Sequence, residues 1–139
     1  MKVSELEGAL LDYWVARING WEFYWSSKHK YYSITKPNGG RHHAWEGWTE
    51  YNADTGKKNK VPHPATCIHS CDYFPSELWC DGGSLIEKYG INLTVSDNGI
   101  WWAMIGKGER LNSQSGPTPL IAACRCIVAS VYNEEVPDE

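Results

Sequence analysis

The sequence is poor in positive charge and has no long apolar run, and each deficit excludes a class of function. Thirteen Lys and Arg residues stand against seventeen Asp and Glu, a net charge of −4 that argues against sequence-independent binding to DNA or RNA. No apolar run approaches the roughly 20 residues that span a bilayer, and Met1 to Gly20 lacks the layout of a signal peptide. We therefore expect a cytoplasmic protein without a nucleic acid or membrane partner.

The cysteine pattern does not match a standard metal site. Five cysteines are an odd number, which in a chain without an export signal favours free thiols over a disulfide framework. Zinc-type ligands do cluster in the middle of the chain, but their spacing differs from that of paired zinc knuckles. The ligand types that lie close together there are His63, Cys67, His69, Cys71 and Cys80. We expect no bound zinc and no cofactor, and we interpret these residues as scattered thiols in a loop. A zinc site is the alternative interpretation.

The sequence also lacks the common catalytic motifs. It has no G-x-S-x-G elbow, no H-E-x-x-H and no G-x-G-x-x-G, and Thr55-Gly56-Lys57-Lys58 lacks the upstream glycine of a phosphate-binding loop. No pair of carboxylates is singled out by its spacing. We therefore expect a binding protein rather than an enzyme, and predict no catalytic residue.

Polar aromatic residues are the compositional outlier. The chain has eight Trp and eight Tyr but only two Phe, so nearly every ring carries an N–H or O–H group. Such rings suit wet pockets and interfaces, although a small domain also uses large rings to fill its core. The length of 139 residues predicts one domain, because domains commonly hold roughly 150 residues.

Local patterns predict an α+β fold in which N- and C-terminal helices pack on short antiparallel strands. The first helix is predicted from Glu5 to Ile18, with a Ser4/Glu7 capping box and with Asp12 on its wet side. Two hairpins are predicted next, and a shorter helix is predicted between them. The hairpins are predicted at Trp21 to Trp25 with Tyr31 to Thr35, and at Ile91 to Val95 with Ile100 to Ile105. The helix is predicted from Gly82 to Tyr89.

Two polar stretches are predicted as loops, and the chain is predicted to end with a helix. Residues 37 to 75 form one long loop or insertion, and Gly106 to Gly116 forms another loop. The last helix runs from Pro119 to Tyr132, with a core stripe that includes Leu120 and Val131. Its opposite face is small-sided, which places this helix either at the centre of the fold or in a contact between identical subunits. We expect a homo-oligomer.

One constellation resembles a nucleotide site. It combines stacking rings, glycines that allow close approach, helix N-termini that attract anions, and a cation that either reaches solvent or turns inward to hold an anion. The predicted ligand-binding residues are Trp79, Gly82, Gly83, Trp101, Trp102, Thr118 and Arg125. The alternative is that these rings are core and these residues merely begin helices. If the prediction fails, we expect the pocket under the Arg41 to Pro75 loop.

The sequence resembles the NinX family of small phage proteins in several blocks. They are Leu11-Asp12-Tyr13-Trp14-Val15-Ala16, Pro75-Ser76 with Trp79, Gly82-Gly83 with Ile86-Glu87, Gly116-Pro117-Thr118-Pro119-Leu120-Ile121-Ala122-Ala123, Val128-Ala129-Ser130 and Glu134-Glu135-Val136-Pro137. The chain departs from the family pattern at Glu77-Leu78, at Cys80-Asp81 and in the Cys- and His-bearing stretch before Tyr73. The resemblance implies a phage or prophage protein in the bacterial host cytoplasm, and it supplies no catalytic residue.

By analogy with phage proteins that counter host defence, we expect this protein to sequester a small anionic nucleotide-type ligand. A cyclic dinucleotide or an ADP-ribose derivative made by host immunity is the kind of ligand we expect. The alternatives are an adaptor that uses the aromatic surface to inhibit a host protein, and a hydrolase of such messengers.

Overall fold

Three α-helices and two three-stranded antiparallel sheets occupy the described part of a computed structural model. The described residues are 1–44, 51–52, 54–58, 60–106 and 108–137. This arrangement confirms the predicted α+β class. None of the helices in the described ranges is long and apolar enough to cross a membrane.

The first α-helix, α1, spans Gly8–Ile18, so the predicted start at Glu5 is wrong. A short 3-10 turn, Val3–Glu5, precedes it. Gly8 has a φ of +57°, a left-handed conformation that separates this turn from the right-handed helix. The predicted capping box is also wrong, because Glu7 is the N-cap residue and its side chain makes no capping hydrogen bond.

The first sheet has the order β1-β2-β3, with β1 at Glu22–Ser26, β2 at Tyr31–Thr35 and β3 at Arg41–Ala44. The first two strands confirm the predicted hairpin. The third strand and several short elements lie in the predicted long loop, so that stretch is not structureless. These elements are β4 at Tyr51–Asn52, β5 at Lys57–Lys58, and 3-10 helices at Pro64–Cys67 and His69–Cys71. The parts of the predicted loop at 45–50, 53 and 59 lie outside the described residues.

The helix α2 spans Trp79–Tyr89, three residues earlier than the predicted start at Gly82, and ends at Gly90 as predicted. The second sheet has the order β6-β7-β8, and its first two strands form the predicted hairpin. The strands are β6 at Asn92–Val95, β7 at Trp101–Ile105 and β8 at Asn112–Gly116. The prediction of a loop over Gly106 to Gly116 is wrong for Asn112–Gly116, which form β8. This strand is polar and lacks the apolar alternation by which strands are predicted from sequence.

The last helix, α3, spans Pro119–Tyr132 as predicted, and the Thr118 hydroxyl accepts a hydrogen bond from the Ile121 amide at 3.2 Å. Its small face packs inside the chain, since a Cβ placed on Gly116 of β8 would lie 2.8 Å from the Ala122 nitrogen. The helix is therefore central to the fold, and its small face gives no support to a homo-oligomer, which stays a prediction. The prediction that Val131 is a core residue is wrong, because this residue is 53% exposed.

Candidate functional site

A cavity of about 350 Å³ opens between α1, the first sheet and the segment 61–64. We call it the aromatic cavity. Its lining combines rings with one guanidinium and one imidazole: Tyr13, Arg17, Phe23, Trp25, Tyr32, Val61, Pro62, His63 and Pro64. Residues 61–64 belong to the stretch predicted as a long loop, under which the alternative prediction placed the pocket. That a ligand binds there stays a prediction.

The periodicities of two elements bring these rings together. Tyr13 and Arg17 are four residues apart on α1, which puts them on one helix face. Phe23 and Trp25 alternate along β1, and Trp25 pairs in register with Tyr32 of β2, so these three side chains share one face of the sheet.

Edge-to-face contacts fix the orientation of the rings. The ring centroids of Tyr13 and Phe23 are 5.0 Å apart at an interplanar angle of 69°, and those of Trp25 and Tyr32 are 5.0 Å apart at 62°. Such pairs stabilise beyond simple area burial, by roughly 0.5 to 1.5 kcal/mol each. The cavity walls are thus held in place before any ligand arrives.

The polar groups at the cavity are held by specific hydrogen bonds. Arg17 Nη1 donates to the Tyr13 hydroxyl at 2.6 Å, and the Tyr32 hydroxyl donates to the Pro62 carbonyl. His63 Nδ1 accepts from the Ala65 amide at 3.1 Å, which assigns the proton of this ring to Nε2. The guanidinium and the imidazole supply the donors that an anionic group requires.

A second cavity, of about 340 Å³, lies beside the first and shares His63 with it. We call it the terminal cavity because residues from both ends of the chain contribute to it. Its lining is mainly apolar: Met1, Leu10, Trp14, His63, Ala65, Val136 and Pro137.

A buried polar cluster of Asp12, His69 and Ser76 anchors residues 69–76, which follow the cavity-lining segment 61–64 in the chain. Asp12 is fully buried; its Oδ2 contacts His69 Nε2 at 2.7 Å and its Oδ1 accepts from the Ser76 amide at 2.8 Å. The prediction that Asp12 marks the wet side of the first helix is therefore wrong. Burial raises the pKa of Asp12, and the hydrogen bonds from His69 and Ser76 offset only part of that effect.

The order of groups in this cluster is not that of a serine nucleophile triad. In such a triad the imidazole lies between the carboxylate and the hydroxyl, whereas here Asp12 lies between Ser76 and His69. The Ser76 hydroxyl is buried and makes no hydrogen bond with ideal geometry among the described residues. The cluster therefore acts as a tether between α1 and residues 69–76.

The three predicted stacking rings lie apart from both cavities. Trp79 at the start of α2 is 57% exposed and Trp102 on β7 is 43% exposed, whereas Trp101 is half-buried against the core. Since successive residues of a strand point to opposite faces, Trp101 and Trp102 do not stack together on one base. Their role in binding stays a prediction.

The remaining predicted site residues have structural contacts. A Cβ on Gly82 would lie 2.3 Å from the Pro75 carbonyl oxygen, so this glycine permits close helix packing, whereas Gly83 has more room beside Trp79. Thr118 caps α3. Arg125 is half-buried, and its guanidinium bonds the backbone of the chain itself: Nε donates to the Leu6 carbonyl and Nη1 to the Ser115 carbonyl, both at 2.9 Å. Its role in holding an anion stays a prediction.

The zinc-type residues have separate surroundings. His63 caps a 3-10 helix, His69 contacts Asp12, Cys67 and Cys71 are buried and Cys80 is exposed. Within the described ranges, no three His, Cys, Asp or Glu side chains come together as metal ligands, and all five cysteines are free thiols.

Sequence reasoning missed the aromatic cavity because three separate segments build it. Local signals were present, in the spacing of Tyr13 and Arg17 and in the alternation of Phe23 and Trp25, but neither shows which face meets residues 61–64. The tether was missed for the same reason, although Asp12 and Ser76 both lie in blocks that carry the family resemblance.

Fold and site together define a small α+β protein with a preformed aromatic cavity edged by cationic and imidazole groups. The sequence profile of the family described as "Bacteriophage P22, NinX" matches residues 2–131. The chain belongs to this family of phage proteins and is accordingly a phage accessory protein. No match was found among curated proteins.

Proposed function

We propose that this protein binds a small anionic nucleotide-type ligand in the aromatic cavity and sequesters it without turnover. The observation that carries the proposal is the combination, around one cavity of about 350 Å³, of four aromatic rings with Arg17 and His63. The half-buried rings of Phe23 and Trp25 supply stacking surface for a base, and the buried rings of Tyr13 and Tyr32 pack against them. A guanidinium matches the geometry of a phosphate. A messenger of host immunity is the kind of nucleotide that a phage accessory protein would sequester.

Hydrolysis is the second candidate, and the Asp12–His69 contact is the observation that favours it. An imidazole oriented by a carboxylate is a common general base. His69, however, lines neither the aromatic nor the terminal cavity, so the pair is not placed to act on a ligand there. Binding without turnover is therefore preferred.

Mass spectrometry of small molecules released by heat from protein expressed in bacteria tests the proposal. We expect an intact nucleotide. Recovery of a cleaved product would favour the hydrolase, and capture of a host protein with no small molecule would favour the adaptor.

Calorimetry on four variants locates the site. Trp25→Ala should weaken binding of the released nucleotide by about tenfold or more, since base stacking contributes roughly 1 to 3 kcal/mol. Arg17→Gln, at an exposed position, should weaken binding without unfolding the protein. The matched controls Trp79→Ala and Trp102→Ala remove exposed rings outside the cavity and should leave affinity unchanged. The opposite pattern would place the ligand at the rings predicted from the sequence.

A further inference from the structure

The aromatic and terminal cavities are neighbours that share one wall. His63 lines both, and α1 contributes to both from adjacent positions. Leu10 and Trp14 face the terminal cavity, while Tyr13 faces the aromatic cavity. The rings of Tyr13 and Trp14 are in edge-to-face contact, 5.2 Å apart at 63°, so the two linings meet through packed side chains of α1.

Each compartment suits a single ring system. Volumes of about 340 and 350 Å³ lie near the lower end of the roughly 300 to 1,000 Å³ range of small-molecule pockets. The aromatic cavity offers stacking surfaces and Arg17. The terminal cavity offers apolar walls from Leu10, Trp14 and Val136, which favour a flat, weakly polar group.

His63 places a polar group at the junction. Its Nδ1 accepts from the Ala65 amide, so Nε2 carries the proton and is the remaining donor of the ring. His63 is the residue that the two linings have in common, and an N–H donor there favours an anionic link between the two ring systems. The ring contact with Tyr13, at 5.1 Å and 81°, holds the imidazole in this position.

We infer that the ligand class is a dinucleotide, with one base in the aromatic cavity, the other in the terminal cavity and the phosphate-bearing link beside His63. This inference rests on the proposed function. A mononucleotide fills one compartment only. Two bases joined through phosphate match the sequence of a ring-lined cavity, the N–H donor of His63 and an apolar cavity.

Titration calorimetry with matched probes tests the inference. AMP and GMP represent one base, and pApA, pGpG and their cyclic forms represent two bases. We expect the better dinucleotide to bind about tenfold or more tightly than its mononucleotide, because a second buried base adds stacking and apolar contact. Equal affinity for the two would overturn the dinucleotide assignment and leave the proposed function standing. Binding of none of the probes would overturn both.

Two variants that narrow the terminal cavity provide the sharper comparison. Ala65→Met, and independently Leu10→Trp on half-buried helix surface, should reduce dinucleotide affinity to that of the mononucleotide while mononucleotide affinity is retained. The control Val61→Trp narrows the aromatic cavity at a position 53% exposed and should weaken both probes. Melting curves identify the variants that fold. Dinucleotide affinity unchanged in a folded terminal-cavity variant would overturn the inference.

Discussion

The carboxylate of Asp12 and the imidazole of His69 are in contact at 2.7 Å although 57 positions separate them in the chain. The same carboxylate also accepts from the Ser76 amide, so one buried side chain of α1 fixes two points of the segment that follows the cavity walls. Two predictions concern this carboxylate directly.

Asp12→Asn should destabilise the protein by about 2 kcal/mol, because an amide keeps only one of the two oxygens that contact His69 and the Ser76 amide. For a domain of this size we expect the melting temperature to fall by about 5 °C. A double-mutant cycle with His69→Gln should give a coupling of about 0.5 to 3 kcal/mol. Asp97→Asn in an exposed turn is the control and should have little effect. If the effects of Asp12→Asn and His69→Gln on the free energy of unfolding add, the contact between Asp12 and His69 does not stabilise the fold.

The raised pKa of Asp12 predicts the sign of a pH effect. The folded state retains a proton that the unfolded chain releases near its ordinary pKa of about 3.9. This contribution to stability is present below that pH and is lost as pH rises through the folded pKa. Denaturant titrations should therefore show the stability of the native sequence relative to Asp12→Asn decreasing from about pH 4 towards neutrality. An increase would show that pairing with His69 outweighs burial.

Gly82 and Gly83 should respond oppositely to the same substitution. Gly82→Ala brings a methyl group to 2.3 Å from the Pro75 carbonyl oxygen and 2.7 Å from Leu120 Cδ2, which should cost about 1 to 3 kcal/mol. Gly83→Ala meets nothing closer than 3.7 Å and should stabilise α2 by about 0.5 to 1 kcal/mol. Chemical denaturation compares the two. Similar effects would contradict the close packing at Gly82.

Thiol labelling of the folded protein should modify Cys80 alone. Cys80 is exposed, whereas the other four cysteines are buried, and burial raises the pKa of Cys126 to about 11. Since the thiolate is the reactive form, iodoacetamide at about pH 8 should label one thiol before unfolding and all five thiols after it. Cys80→Ser should abolish the labelling of the folded state. Rapid labelling of a second thiol would show that one of the buried sites opens.

Arg125→Lys should lower stability without changing ligand affinity. The guanidinium bonds two carbonyls from different segments, those of Leu6 and Ser115, and an ammonium group lacks that fork. We expect a loss of about 1 kcal/mol in the free energy of unfolding. Calorimetry with the released nucleotide is the second measurement. A loss of affinity at unchanged stability would instead support the anion-binding role predicted from the sequence.

Elements with strong local signals were predictable, and elements defined by their neighbours were not. Thr118-Pro119 marks the start of α3, and Asn98-Gly99 marks the turn between β6 and β7. The strand β8 has no apolar pattern and forms because β7 and α3 lie beside it. The start of α1 depends on the left-handed Gly8, a conformation that residue names alone do not reveal.

The candidate site was less accessible to sequence reasoning than the fold. Aromatic composition favoured a ring-lined pocket, and the predicted long loop contributes only residues 61–64 to the aromatic cavity. The particular rings could not be selected, because Trp14, Trp25 and Trp79 differ in their surroundings rather than in their local pattern. Their exposed fractions follow from contacts between segments that are distant in the chain.

The position of α3 has a consequence for synthesis on the ribosome. This helix contacts α1, α2 and both later strands of the second sheet, and the amide of Val3 donates to the carbonyl of Glu134. The nascent chain thus lacks the centre of its core until the last helix has left the exit tunnel. We expect the earlier segments to remain open to proteases and chaperones until then, so that this fold forms only after α3 has been synthesised.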